Sequence, residues 1–344
     1  MVKMIKYSPR DIRTWSMLGS CGAFGIAAME LPEIDSRCVV LTSDLCTYSS
    51  LDRFRQKYPD KFFNFGIAEQ NMVGVAAGMA KEGFIPFATT YASFASSRCL
   101  DQVRVNMGYM KLGVKLVGLT SGLAVSILGA THMSVEDIAV MRSIPNITVL
   151  SPADCMETIK CVLAAAKMDG PVYLRLSGPM NNPVVYKEDY AFEIGKSITL
   201  CEGDDVVIVA TGTMVYNSLK AAEILSEDGI SCRVINMHTI KPLDVSAIQN
   251  ACGAKLIVTV EEHSKIGGLG GAVAEVLSEL GEHPPLLRIG LTDEFKHAGT
   301  YEFMVEQYGL SIEQIVTDIK WKYINEVKSV SFSQHNTTQH NTID

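Results

Sequence analysis

Residues 64–78 read NFGIAEQNMVGVAAG, and the way this stretch folds decides the architecture around it. The run Lys61 to Gly66 (KFFNFG) has the length and aromatic content of a strand. The Ala-, Gly- and Met-rich run Ala68 to Glu82 that follows at once is a helix by composition and length. Glu69 falls at the junction. Ligands of open α/β sheets bind outside the carboxyl ends of the strands, so a carboxylate at this turn is a candidate functional group. It has a plainer reading too, since an acidic residue at a helix start complements the helix dipole and its unpaired N–H groups.

Working outward, short β-branched runs alternate with longer helical ones, which is the pattern of an α/β fold with parallel strands. Strands are expected at Arg37 to Leu41, Phe84 to Thr90, Lys115 to Leu119, Ile147 to Leu150 and Val172 to Leu176, with helices at Phe94 to Met110 and Ala153 to Met168. Pro179, Asn181, Asn182 and Pro183 open a break that runs to Gly195. A second α/β unit follows, with strands at Val206 to Ala210, Cys232 to Asn236, Lys255 to Val260 and Leu286 to Ile289. The expected division is residues 1–190, 195–325 and a polar, disordered tail at 326–344. Gly267 to Gly271 resembles a dinucleotide fingerprint only superficially. Val273 stands where the third glycine should be, so the run reads as a close-packed lead-in to a helix from Ala272 to Leu280.

The chain has 344 residues, enough for two domains with their own cores, and a formal charge of -8. That charge, with scattered basic residues, argues against nucleic acid or an anionic membrane as partner. The nine cysteines include no CxxC pair and are expected as free thiols in a reducing compartment. No apolar run is long enough for a signal peptide or a membrane span, and a cytoplasmic location is expected.

Six segments in order carry a resemblance: GIAEQNMVGVAAGMA (66–80), TTYASFASSRCLDQVR (89–104), GATHMSVEDIAVMRSIPNITVLSPAD (129–154), DGPVYLRLSG (169–178), NMHTIKPLD (236–244) and VTVEEHSKIGGLGGAVAEVL (258–277). Over residues 1–325 the chain resembles the C-terminal half of transketolase, and most of all transketolases split into two polypeptides. It is similar to 1-deoxyxylulose-5-phosphate synthase and more distantly to 2-oxoacid dehydrogenase β subunits. The resemblance implies a pyrimidine-binding domain, then a smaller transketolase C-terminal domain, and thiamine diphosphate as cofactor.

By that resemblance Glu69 is the carboxyl that bonds N1′ of the aminopyrimidine and promotes the imino tautomer, whose nitrogen takes the thiazolium C2 proton. Phe94 matches the aromatic that stacks on the pyrimidine, and Tyr91 and Leu45 match cofactor-lining positions. His132 matches a histidine that bonds substrate oxygens and moves protons, a task suited to imidazole. Arg98 and Asp44 match substrate-side residues. Three of these have a plainer alternative: core packing for Phe94, a structural role for His132, a surface ion pair for Arg98. His238 and His263 read as structural.

The departures are as informative. No GDG followed some thirty residues later by Asn is present; Gly203-Asp204-Asp205 runs directly into a strand. That motif holds Mg²⁺ and the diphosphate through hard oxygen ligands. No metal ligand is therefore expected here, and the resemblance implies an N-terminal transketolase subunit that carries the Mg²⁺ and diphosphate site, in an α2β2 assembly. The segment Thr120 to Leu128 lacks the family's upstream His and Asp, and Ser121 and Gly178 stand where arginines are found in relatives. Arginine suits phosphate because its fork binds bidentately. A phosphorylated sugar would therefore depend on Arg175, a lysine or the partner. The function implied is ketol transfer between sugars or sugar phosphates. The alternatives are a pyruvate-using thiamine diphosphate enzyme and a non-catalytic paralogue.

Overall fold

The computed structural model describes residue 5 and residues 7–328. Among the described residues, twelve strands form two sheets. The first seven-stranded sheet contains β1 (Cys38–Thr42), β2 (Phe62–Asn64), β3 (Ile85–Tyr91), β4 (Lys115–Ser121), β5 (Thr148–Leu150) and β6 (Val172–Ser177). The second holds β7 (Ile198–Cys201), β8 (Val206–Ala210) and β9 (Cys232–Asn236), with β11 (Leu256–Ser264) and β12 (Leu286–Leu291) beyond. Between β9 and β11 lies β10 (Thr239–Lys241), which leaves its own neighbours and joins the first sheet.

The first sheet runs β10-β5-β6-β4-β3-β1-β2, parallel except where β10 pairs with β5. The second runs β12-β11-β8-β9-β7, parallel except at the β7 edge. Strands such as CVVLT of β1 and VVIVA of β8 are buried at every residue because helices cover both faces of a parallel sheet. Alternate side chains feed opposite faces. Val40, Leu174 and Val258 enter one apolar cluster, while Leu41, Tyr173 and Ile257 enter the other, and both clusters draw on both sheets.

The sequence reading needs several corrections. The helix Pro9–Ala28, broken at Gly19 by a positive φ, has no counterpart among the expected elements. β7, β10 and the helices Val245–Ala251, Tyr301–Gln307 and Ile312–Lys322 were likewise not anticipated. The expected helix Phe94 to Met110 is wound mostly as wide π turns, at Phe94–Arg98 and Val103–Tyr109. The last helical turn continues over Tyr323–Lys328, so residues 326–328 are not part of a tail; the remainder of that expected tail lies outside the described residues. The glycine-rich run overlaps the start of a helix at Leu269–Glu279, about one turn earlier than expected. A Cβ at Gly268 would stand 2.0 Å from Glu261 Oε2, whose carboxylate accepts the helix's first N–H groups, from Leu269 and Gly270. Among the described residues, no helix is long and apolar enough to cross a membrane.

Candidate active site

The seven residues singled out from sequence all follow the carboxyl ends of four neighbouring parallel strands. Asp44 and Leu45 follow β1, Glu69 follows β2, Tyr91, Phe94 and Arg98 end or follow β3, and His132 lies on the loop after β4. Five of them meet. Glu69 opens its helix with a buried carboxylate, and Arg98 Nη1 donates to its Oε1 at 2.7 Å. The Arg98 guanidinium lies over the Phe94 ring, 3.9 Å from its centroid. Phe94 meets Tyr91 and His132 edge-on, with centroids 5.8 and 5.3 Å apart, and Tyr91 meets His132 at 5.7 Å.

The π turn explains how Phe94 and Arg98 come to lie together. Residues four apart on a helix share a face, and the widened turn brings Arg98 across the ring toward Glu69. Gln70 Nε2 donates to the Arg98 carbonyl at 3.1 Å and ties the Glu69 helix to this turn. His132 is half-buried, its Nδ1 2.9 Å from Thr131 Oγ1.

Asp44 and Leu45 make their contacts beside this cluster. Asp44 has a φ of 57°, and Asn64 accepts its N–H at 3.0 Å while donating to its carboxylate at 3.2 Å. Asn64 also accepts the N–H of Gly66. The Leu45 N–H donates to Thr42 Oγ1. Sequence reasoning missed Asn64, although it opens the motif first singled out: a short polar side chain at a strand end, two residues before a glycine with positive φ, is suited to clamp turns.

Two suggestions about other residues change. Arg175 is not available as a phosphate grip. It is fully buried, its Nε donating to Asp137 at 3.0–3.1 Å and its Nη2 to the Glu262 carbonyl at 2.9 Å. Arg98 is an ion pair, but its partner is the buried Glu69 rather than a surface carboxylate. His238 and His263 are both buried, and burial lowers each to about 4, so both rings are neutral near pH 7. His263 Nε2 accepts the Ala139 N–H, and its Nδ1 lies 2.7 Å from the Ser264 carbonyl.

A planar group that donates to a buried carboxylate while stacked on an aromatic ring is what an aminopyrimidine would be here. The Arg98 guanidinium meets both conditions, so the residues present fit the pyrimidine end of thiamine diphosphate. Comparison with known proteins agrees with this class of site. Residues 20–181 match the family model "Transketolase, pyrimidine binding domain" and residues 195–315 match "Transketolase, C-terminal domain". A putative transketolase C-terminal section from Methanocaldococcus jannaschii is 42% identical, over 86% of this chain and 93% of that one. A 6-deoxy-6-sulfo-D-fructose transketolase subunit from a Clostridium species is 42% identical over 84% and 89%. An apulose-4-phosphate transketolase subunit from Phocaeicola vulgatus is 38% identical over 87% and 96%. A solved split-gene transketolase, described as an inactive β4 tetramer, superposes with a TM-score of 0.81 at 41% identity, covering 88% of this chain and 97% of that one. The chain belongs to the transketolase family. Within it, the chain is similar to the C-terminal subunits of split transketolases.

Proposed function

We propose that this chain is the pyrimidine-side subunit of a two-component, thiamine-diphosphate-dependent transketolase, which moves a two-carbon ketol unit from a ketose donor to an aldose acceptor. The observation that carries the reading is the grouping of Glu69, Phe94, Tyr91 and His132 at the carboxyl ends of neighbouring strands, with a planar donor already seated between Glu69 and Phe94.

In this reading Glu69, Phe94, Tyr91 and Leu45 hold the aminopyrimidine. When bound, thiamine diphosphate supplies a carbon nucleophile for the donor carbonyl. Glu69 would hold pyrimidine N1′ through a shared proton, the acid–base role of this carboxyl. Phe94 sets the plane of the ring. His132, with Nδ1 engaged by Thr131, turns Nε2 to the substrate's oxygens. With the aminopyrimidine in place, Arg98 would be free of Glu69 to serve the substrate side together with Asp44.

The Mg²⁺ and diphosphate ligands belong to an N-terminal partner subunit, because this chain has no GDG followed by a suitably spaced Asn. The complete site then lies between subunits, in an α2β2 assembly. Two similar subunits carry names that specify a sulfonated and a phosphorylated sugar. A ketose with an anionic end is therefore the donor class to try first, with Arg98 as this chain's cation beside the cluster.

The test is to co-express the chain with its partner and assay ketol transfer with thiamine diphosphate and Mg²⁺. The donors should end in a phosphate, a sulfonate or a hydroxyl. Transfer from a ketose by the pair, and by neither subunit alone, is expected. Pyruvate consumption without ketol transfer, or turnover by this chain alone, would overturn the assignment.

A further inference from the structure

One buried carboxylate of the C-terminal unit grips the base of the loop that carries His132, beside the backbone bond from Ser264 N–H to the Val135 carbonyl. Glu262 sits near the end of β11 and is 1% exposed. Its Oε1 accepts the Leu123 N–H at 2.6 Å. Its Oε2 accepts the Thr213 hydroxyl at 2.5 Å and the Tyr301 hydroxyl at 2.6 Å. Thus a single side chain joins β11, Thr213 at the N-cap of the helix Met214–Glu227, and Tyr301 at the start of its helix to the first residues of the loop after β4.

The loop is built to receive it. Gly122 has a φ of 68°, and a Cβ there would stand 2.2 Å from Glu262 Oε1, so only glycine lets the backbone come this close. The Gly122 N–H donates to the Ser134 carbonyl at 2.9 Å and closes the base of the loop, with His132 two residues inside. Farther along, Ser126 donates to the Gly299 carbonyl, two residues before Tyr301. The loop is therefore held at its base by Glu262 and along its length by the segment that Tyr301 anchors to the same carboxylate. Arg175, on β6 of the first sheet, donates to the Glu262 carbonyl and so ties β11 to that sheet.

From this we infer that Glu262 is a positioning residue for ketol transfer: through Leu123 and Tyr301 it sets where the His132 imidazole stands. This rests on the reading of His132 given above. A displacement of about 1 Å at a proton-transferring group costs on the order of a hundredfold in rate, so such a grip would be felt in kcat.

The experiment uses the full chain labelled with ¹⁵N-histidine, the His132 signals being assigned with His132→Gln. Tyr301→Phe and Thr213→Val each remove one donor from Glu262 and leave the Leu123 bond, so the fold should survive; the double variant removes both. Tyr186→Phe is the control. Its hydroxyl accepts from Asn236 in a separate buried cluster between the same two parts of the chain, away from the His132 loop. Displaced or broadened His132 signals are expected in the Tyr301 and Thr213 variants, and unchanged ones in Tyr186→Phe. In the assembled enzyme the same two variants should lower kcat at least tenfold, with cofactor affinity within twofold of wild type. Wild-type His132 signals in the double variant, or an equal displacement in Tyr186→Phe, would overturn the inference. If the wild-type pair transfers no ketol unit, the proposed function fails, while the His132 signals still decide the role of Glu262.

Discussion

Arg98 Nη1 lies 2.7 Å from Glu69 Oε1, and the same guanidinium covers the face of Phe94. The arginine thus occupies both contacts that the sequence resemblance assigns to an aminopyrimidine. The side chain is 43% exposed, so the pair sits partly in water and is worth at most about 1 kcal/mol.

Displacing so weak a pair should cost the cofactor little. Arg98→Met is expected to leave cofactor binding to the assembled enzyme unchanged or to tighten it, by no more than about fivefold for a pair of about 1 kcal/mol. The KM of an anionic donor should rise. Fluorescence titration with thiamine diphosphate and a donor saturation curve check the two halves. A cofactor affinity that falls tenfold would mean that Arg98 helps to hold the cofactor rather than standing in for it.

Arg175 behaves differently because it is fully enclosed. Arg175→Met leaves Asp137 buried with only the Tyr173 hydroxyl at 2.8 Å, and a loss of about 3–5 kcal/mol in unfolding free energy is expected. Urea denaturation measures this. Any surviving activity should show no selective loss toward phosphorylated donors, which separates a structural cation from a phosphate grip.

The chain should also lose stability in mild acid through buried histidines. His238 has a folded value of about 4 against 6.5 in the unfolded chain, mainly because burial disfavours its charged form. A lowered folded value means that its contribution is complete above pH 6.5 and drains away as pH falls toward 4. Between pH 7 and 5 the contribution lost is up to about 2 kcal/mol. Its ring packs against Phe192 at 4.4 Å, so His238→Phe keeps an aromatic in place. Unfolding free energies at pH 7 and pH 5 should show wild type losing ground on the variant in acid. Parallel losses would remove His238 as a cause. Asp154 and Glu261, raised by burial to about 6 and about 7, act with the opposite sign, so the difference between proteins is the quantity to follow.

The parts of the molecule that could be read in advance share a physical reason. Strands buried on both faces are apolar for most of their length, so β1 and β8 stand out in the sequence, and β4 and β6 do so despite Lys115 and Arg175. β10 does not, being three residues long and followed at once by Pro242; only its antiparallel pairing with β5 makes it a strand. The Glu69 turn was legible because strand, glycine, acid and helix lie together in fifteen residues. Its pairing with Arg98 was not, since the partners are 29 residues apart and a π turn sets their approach. Glu262 was harder still. It belongs to a polar run, Glu261-Glu262-His263, whose two acids give no sign of burial in sequence, and the docking of three distant segments buries it.

The central claim is that Glu69 activates a cofactor shared with a partner subunit. Hydrogen–deuterium exchange at C2 of thiamine diphosphate bound to the assembled enzyme tests it directly, with wild type set against Glu69→Gln. Wild type should exchange C2 rapidly, and the variant should bind the cofactor but exchange it roughly 10²–10⁴-fold more slowly, the range for loss of an acid–base group. Equal exchange rates in the two proteins would contradict the account.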